Sequence, residues 1–148
     1  VVAAYPFLNA ELLYAGVILH DLCKTTEMIS DETGSVSGYS ADGLLIGHLV
    51  RGVARIEEAA KNVGVSGEIV LLLEHMVLSH HSIPEYGSPK APMFPEAEVL
   101  ARIDDLDAKM NEMQGILSRV PEGAFSEKVW SLDRRIYHPK YQEIDGAE

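Results

Sequence analysis

The stretch 11-ELLYAGVILHDLCK-24 decides the fold, because a long apolar run leads directly into an adjacent histidine and aspartate. Asn9 is a good N-cap ahead of this run, so the sequence predicts a buried helix over residues 10–24. The run is too long and too poor in β-branched residues to favour a strand. His20 and Asp21 therefore stand at the end of an apolar helix, and as metal-friendly side chains they need partners from elsewhere in the chain.

Three further helices follow from the apolar spacing. Residues 41–62 repeat apolar side chains at the helical period, and Ser66 can cap a third helix that ends at the histidine pair 80–81. Pro95 suits the first turn of a fourth helix that runs to about residue 117.

The connecting segments are rich in turn-forming residues. Residues 30–38 and the proline-rich segment "SIPEYGSPKAPMFP", 82–95, predict loops, the second of them long enough to shape a site. No segment shows a convincing strand period, and the tail 124–148 predicts only a short helix. The sequence therefore predicts an all-α helical bundle.

Length and composition fit one soluble domain over residues 1–148, with the tail 120–148 packed on it. No apolar run approaches the roughly 18 residues that a membrane span needs. The single cysteine, Cys23, excludes an internal disulfide framework and is compatible with a cytoplasmic location. A net charge of −11 argues against nucleic-acid binding by general attraction, so any phosphate chemistry needs another source of positive charge.

Metal-ligating side chains also occur on the other three predicted helices: His48, His80, His81 and Asp104. Each has an ordinary structural explanation when taken alone. His48 can be a hydrogen-bonded core residue, Asp21 can pair with Lys24 one turn on, and Asp104 can belong to a solvated face. Taken together, they would leave unpaired polar groups at the apolar edges of four helices, which costs several kcal/mol. A metal ion would remove that cost for all of them.

The ligand types favour a divalent transition metal. Imidazole and carboxylate without thiolate suit Mn, Fe, Co, Ni or Zn better than calcium, which prefers oxygen alone. A carboxylate such as Asp21 can bridge two ions, and paired ions about 3.5–4 Å apart are a recurrent device for phosphoester hydrolysis. We therefore expect two ions of this kind, and they would supply the positive field that the acidic surface lacks.

Four segments carry a family resemblance: "ILHDLCK" (18–24), "GLLIGHLVRG" (43–52), "LLLEHMVLSHHSIPEYGSPKAPMFPEAEVLARIDDLDAKMN" (71–111) and "PEGAFSEKVWSLDRR" (121–135). The chain resembles the HD-domain superfamily of metal-dependent phosphohydrolases, whose name comes from the His-Asp doublet. More closely, it is similar to the YhaM-type 3′-5′ exoribonucleases of bacteria. The resemblance covers most of the chain, residues 80–111 are its specific part, and it implies an all-α HD-domain bundle.

This resemblance implies hydrolysis of single-stranded RNA from the 3′ end with two divalent ions, of which manganese is the first candidate. It also implies release of nucleoside 5′-monophosphates, with DNA as a second candidate substrate. It implies that the metal ligands are His20, Asp21, His48, His80, His81 and Asp104. Asp21 and Lys24 are the catalytic candidates. Lys24 would contact a substrate phosphate, and a plain salt bridge to Asp21 is an equally good interpretation of it.

Other residues are candidates for supporting roles. His75 and Asp107 are assigned to the surroundings of the ligands, although His75 can equally be a satisfied core group. In the tail, Trp130, Arg134 and Arg135 could bind RNA by stacking and phosphate contact, while packed core and surface charge are the more ordinary interpretation.

Two departures from the family pattern affect these expectations. HD domains normally carry another metal-binding histidine upstream of the doublet, and residues 1–19 contain none. YhaM-type enzymes also carry an OB-like RNA-binding domain ahead of the HD domain, and the present chain starts at Val1. We therefore expect a C-terminal catalytic piece of a longer protein, without that domain and the first HD helix, which binds metal weakly by itself.

Two other functions stay open. The segment "HHSIPEYGSP", 80–89, faintly resembles the HH…GYP segment of cyclic-di-GMP phosphodiesterases, with different spacing, so a phosphohydrolase of small nucleotides or cyclic dinucleotides is one alternative. A non-catalytic helical interaction module that has lost its metal is the other. Whichever function applies, a homo-oligomer is a candidate assembly.

Overall fold

The computed structural model describes residues 1–141, and the end of the predicted tail, 142–148, lies outside the described residues. Two compact units divide the chain, Val1–Asp104 and a second that begins at Asp105. The first unit holds α1 (Ala10–Leu19), α2 (Lys24–Glu27), β1 (Met28–Ser30), β2 (Val36–Tyr39), α3 (Ala41–Leu45), α4 (Gly47–Val63) and α5 (Glu68–Ser79). The long helix α6 (Pro95–Leu117) begins in the first unit and continues into the second.

The first predicted helix is shorter and less buried than expected. Asn9 caps α1 as predicted, since its side chain accepts the Leu12 N–H at 3.1 Å. The helix nevertheless ends at Leu19 rather than residue 24, and Ile18 is 73% exposed, so only one side of α1 is buried. The His-Asp doublet therefore lies in the turn between α1 and α2 rather than inside a helix.

The second predicted helix is two helices. Gly47 has φ of 79°, a left-handed conformation that few residues other than glycine adopt, and it interrupts the helix between α3 and α4. Ser40 caps α3 by accepting the Gly43 N–H at 2.9 Å. The third helix starts at Glu68 with Gly67 as its N-cap, so the predicted cap at Ser66 is wrong.

A small antiparallel sheet corrects the prediction of a strand-free chain with a loop over 30–38. Met28 pairs with Tyr39 and Ile29 with Gly38, and the register shifts after Ile29. Its apolar side chains are mostly exposed, so the alternation that marks a half-buried strand is missing. The fold is mostly helical, as expected, with one two-stranded sheet in the described residues.

Helix α5 is the centre of the first unit. Met76 and Val77 are fully buried, and the core around Met76 contains Leu12, Leu13, Ala97 and Leu100. Glycines let two helices approach α5 closely: a Cβ at Gly52 of α4 would lie 2.6 Å from Val77 Cγ1, and one at Gly16 of α1 would overlap Met76. This packing brings the end of α1, the start of α4 and the histidine pair after α5 to one place.

In the second unit, residues 118–141 contain no helix, so the short helix predicted for the tail is wrong in its described part. Phe125 and Tyr137 form an antiparallel bridge, as do Val129 and Arg134, which makes a hairpin with Trp130 near its turn. Among the described residues, no helix has the length and apolar character required to cross a membrane.

Candidate metal centre

The Asp21 carboxylate faces two groups of side chains with its two oxygens. Oδ1 lies 3.5 Å from Nε2 of both His48 and His80. Oδ2 lies 3.4 Å from His20 Nε2 and 2.7 Å from the Nζ of Lys24. This arrangement follows from the end of α1 at Leu19, because the turn after it moves the carboxylate off the helix and towards α4 and α5.

Each of the four histidines keeps its Nδ1 engaged with a protein acceptor. The Nδ1–H of His20, His80 and His81 donates to the backbone carbonyls of Val17, Val77 and Tyr86 at 2.7–2.8 Å. The Nδ1–H of His48 donates to Glu27 Oε2 at 2.7 Å. Because a carbonyl or carboxylate oxygen accepts a hydrogen, the proton of each neutral ring is on Nδ1 and the lone pair is on Nε2. This is the form in which imidazole binds a metal.

Three buried polar atoms at the centre have no hydrogen-bond partner among residues 1–141: Asp21 Oδ1, His48 Nε2 and His80 Nε2. Buried polar atoms without partners are rare, and each costs about 1–3 kcal/mol. All three carry lone pairs that face one another, so no hydrogen bond between them can relieve the cost. A cation among them would satisfy all three, and the residues therefore fit a divalent metal ion.

Two overlapping sets of side chains converge closely enough to hold an ion. The ligand atoms of the first set, which we call the four-ligand set, lie within 4.8 Å of one another: Asp21, His48, His80 and His81. The second set contains His20, His80 and Asp104, with His20 Nε2 3.5 Å from Asp104 Oδ1. His80 offers one free nitrogen, so it can bind only one ion. The four-ligand set is then complete, while the second set keeps His20 and Asp104, and His20 Nε2 also lies 3.4 Å from Asp21 Oδ2.

The protonation states suit a cation. Burial would raise the pKa of the Asp21 carboxyl, but the hydrogen bond and the positive charge of Lys24 hold that pKa well below its usual range. A hydrogen bond with His20 lowers the pKa of Asp104. Burial lowers the pKa of His48 and of His81, which favours their neutral rings. Metal binding requires this combination of ionised carboxylates and neutral imidazoles.

His20 differs from the other ligands in its charge balance. Burial acts to lower its pKa, but the hydrogen bond with Asp104 and the charge of Asp21 outweigh burial and raise it. A proton therefore competes for this histidine more strongly than for His48 or His81.

The proline-rich loop 82–95 holds His81 in position. The His81 N–H donates to Ser88 Oγ at 3.0 Å, and the ring donates to the Tyr86 carbonyl. Ser88 is fully buried, so the loop is anchored where it holds this ligand.

Glu27 contacts a ligand candidate, and the sequence did not reveal this contact. Its Oε2 accepts both the backbone N–H and the ring Nδ1–H of His48. It lies 21 residues before His48, in a one-turn helix that matches no motif, so no spacing signal was available.

The other predicted residues have these positions. The salt bridge between Lys24 and Asp21 is confirmed at 2.7 Å, while phosphate contact by Lys24 stays a prediction. His75 accepts a hydrogen bond from the Met93 N–H at 3.1 Å, and its ring packs beside Phe94. These contacts are with the proline-rich loop 82–95. Asp107 accepts a hydrogen bond from Asn111 at 3.2 Å, and its supporting role stays a prediction.

In the second unit, Trp130 is 81% exposed and has the Nζ of Lys128 4.6 Å from its ring centroid. Arg134 and Arg135 are also exposed. Trp130 is therefore not packed core, and RNA binding by these three residues stays a prediction.

Known proteins are similar to most of this chain. The "3'-5' exoribonuclease YhaM" of Geobacillus sp. (strain WCH70) is 49% identical over 142 residues, which are 95% of this chain and 43% of that protein. The protein of the same name from Bacillus subtilis (strain 168) is 47% identical over 141 residues, 94% of this chain and 44% of that protein. The chain thus spans less than half the length of these curated relatives, and no solved structure matches it significantly.

The family model described as "HD domain" matches residues 2–109, which include every side chain of the two ligand sets. The doublet, the three later histidines and the distal aspartate all lie in the matched region and converge in space. The chain therefore belongs to the HD domain family.

Proposed function

We propose that this chain is the metal-dependent catalytic part of a 3′-5′ exoribonuclease that releases nucleoside 5′-monophosphates from single-stranded RNA, with DNA as a second substrate. The observation that carries the proposal is the convergence of three buried, unpartnered lone-pair atoms on one point. The name "3'-5' exoribonuclease" of relatives at 47–49% identity supports the choice of substrate.

Two divalent ions are part of the proposal, with manganese as the first candidate. Asp21, His48, His80 and His81 would hold one ion, and His20 and Asp104 would hold the other beside Asp21 Oδ2. When bound, such ions supply a water of lowered pKa and positive charge beside the phosphoryl oxygens. Nitrogen-rich coordination with one or two carboxylates favours Mn, Fe, Co, Ni or Zn over calcium.

The protein side chains orient the reaction. Asp21 faces His48 and His80 with Oδ1 and His20 with Oδ2, so it links the two proposed ion positions. Lys24 is partly exposed and donates to Asp21 Oδ2, which leaves its ammonium group at the solvent side of the carboxylate. In that position it can attract a substrate phosphate, a contact worth about 1.5–3 kcal/mol for a charged hydrogen bond.

Substrate binding beyond the scissile phosphate is proposed for the second unit. Trp130 offers an exposed ring for base stacking, and Arg134 and Arg135 offer exposed charges for phosphates. A longer parent protein with an OB-like RNA-binding domain, a cytoplasmic location and homo-oligomer assembly all stay predictions.

The test is an assay of the metal-loaded chain on 5′-labelled single-stranded RNA. We expect successive shortening from the 3′ end with nucleoside 5′-monophosphates as products, supported by Mn²⁺ and abolished by EDTA. Asp21→Ala should remove the activity, while Asp42→Ala, which changes an exposed carboxylate paired with Arg51, should retain it. Intact RNA with a metal-loaded chain would contradict the proposal.

The alternatives give different results in parallel assays. A phosphohydrolase of small nucleotides would hydrolyse members of a nucleotide and cyclic-dinucleotide panel faster than RNA. A non-catalytic helical module would bind no stoichiometric metal after manganese reconstitution. The three unpartnered atoms favour a metal-binding domain over that module.

A further inference from the structure

Glu27 is partly buried among α2, α3 and α4 without belonging to either ligand set. It ends α2, and its side chain is 13% exposed. Gly43 of α3 lies against it, because a Cβ at Gly43 would come within 2.8 Å of Glu27 Cγ. A carboxylate held this deeply needs strong partners to offset its lost hydration.

Within residues 1–141, both hydrogen bonds to the Glu27 carboxylate come from one residue, the metal-ligand candidate His48. Glu27 Oε2 accepts the backbone N–H of His48 and also its ring Nδ1–H, the latter at 2.7 Å. Ile46 makes no capping hydrogen bond at the start of α4, so Glu27 provides the side-chain acceptor there. Its negative charge also complements the positive end of the helix dipole.

The ring hydrogen bond decides which nitrogen of His48 carries the proton. If the proton moved to Nε2, that nitrogen could donate to Asp21 Oδ1, which lies 3.5 Å away. Both atoms would then be occupied by each other rather than available to a cation. Glu27 prevents this, because its carboxylate accepts a hydrogen bond from the Nδ1–H of His48. The Nε2 atom therefore keeps its lone pair.

Glu27 also differs from the partners of the other histidines. His20, His80 and His81 donate Nδ1–H to neutral backbone carbonyls, whereas His48 donates to a carboxylate. A charged acceptor makes the imidazole a stronger ligand than a neutral carbonyl does.

We propose that Glu27 is a positioning residue that locks the tautomer and orientation of His48 and thereby sets the affinity of the four-ligand set for a divalent cation. This inference rests on the metal centre of the proposed function but not on RNA as its substrate. It predicts that the carboxylate acts through His48 rather than by contact with substrate.

The experiment compares the whole chain with Glu27→Gln, Glu27→Ala and the control Glu57→Gln, which changes an exposed carboxylate of α4 paired with Lys61. Calorimetric titration with Mn²⁺ measures affinity, and thermal unfolding of the metal-free proteins measures stability. Loss of such a supporting partner typically weakens metal affinity by about 10–100-fold. We expect a loss of this size for Glu27→Ala, a smaller one for Glu27→Gln, and none for the control.

Long-range ¹H–¹⁵N spectra of the metal-free histidine rings provide the readout that a merely structural role would not change. We expect His48 to carry its proton on Nδ1 in the unsubstituted chain and on Nε2 in Glu27→Ala. Should Glu27→Ala fail to fold, Glu27→Gln still tests the inference, because its amide oxygen retains a capping acceptor without the charge.

Two results would overturn the inference: a Glu27→Gln affinity equal to that of the control, or an Nε2-protonated His48 in the unsubstituted chain. Failure to bind metal in the unsubstituted chain would overturn both this inference and the proposed function. Tight metal binding without RNA cleavage would contradict only the proposed function, since neither readout here uses RNA.

Discussion

Asp21 Oδ1 and His80 Nε2 face each other across 3.5 Å, buried, with no hydrogen bond between them. Both atoms are hydrogen-bond acceptors, because His80 carries its ring proton on Nδ1 and donates it to the Val77 carbonyl. Two lone pairs held face to face destabilise the metal-free protein, and a cation between them converts that cost into binding energy. The predictions below follow from this relationship and from the packing that maintains it.

Metal should stabilise the fold. A ligand that binds only the folded state at 100 times its dissociation constant adds about 2.7 kcal/mol, which corresponds to roughly 5–10 °C in Tm for a chain of this size. Thermal unfolding with Mn²⁺ and then with excess EDTA measures the effect. An unchanged Tm at a saturating manganese concentration would contradict it.

The two ligand sets should lose metal separately. His80→Ala removes a ligand of the four-ligand set and should abolish tight binding there, because His80 contributes the most deeply buried nitrogen. Asp104→Ala should spare that ion and weaken only a second one beside His20. Metal analysis after dialysis gives the stoichiometry of each variant.

The control for this pair is His138→Ala, since His138 donates to the Val120 carbonyl in the second unit and belongs to neither set. Equal loss of metal in His80→Ala and Asp104→Ala would show that the two sets act as one site.

Lys24→Met should separate RNA cleavage from metal binding. If Lys24 contacts a phosphate, kcat/KM for RNA falls by about tenfold or more, the value of one charged hydrogen bond. Metal affinity should stay equal or rise, because removal of the ammonium group near Asp21 relieves repulsion of the cation. Folding stability should change by at most about 1 kcal/mol, as for other partly exposed pairs.

Steady-state kinetics at saturating Mn²⁺ and metal titration together check this prediction. Lys61→Met is the matched control, since its pair with Glu57 is exposed. If Lys24→Met cleaves RNA at an unchanged rate per bound ion, Lys24 does not contact a substrate phosphate, and its role is the salt bridge to Asp21.

Met76→Ala should destabilise the fold strongly. Met76 is fully buried where α1 and α6 meet α5, and truncation of such a methionine typically costs about 2–5 kcal/mol. Urea unfolding measures the change. Leu71→Ala on the same helix, at a position 64% exposed, should change stability by no more than about 0.5 kcal/mol. Equal effects at the two positions would refute the central role of Met76.

Much of the site was predictable from the chain, because metal ligands are rare, specific residue types that recur at the ends of apolar helices. His48, His80, His81 and Asp104 converge with the doublet as their pattern predicted. The helix boundaries were less predictable. Gly47 looks like an ordinary helical position in the sequence, and only its left-handed φ shows that α3 and α4 are separate.

The sheet was missed for a different reason. Its strands are three and four residues long, and Ile29, Val36 and Tyr39 are all exposed. The sequence therefore lacks the alternation of apolar and polar residues that marks a half-buried strand. The hairpin over 125–137 was missed similarly, since it consists of isolated bridges rather than extended strands.

The sequence by itself determined which side chains could bind a metal and that helices would present them, because both depend on residue type and local apolar spacing. Tertiary packing alone decided that α1 stops before the doublet, that His80 Nε2 and Asp21 Oδ1 are left without partners, and that Glu27 reaches His48. Those features depend on distances between residues far apart in the chain, and glycines at 16 and 52 set these distances by letting α1 and α4 approach α5.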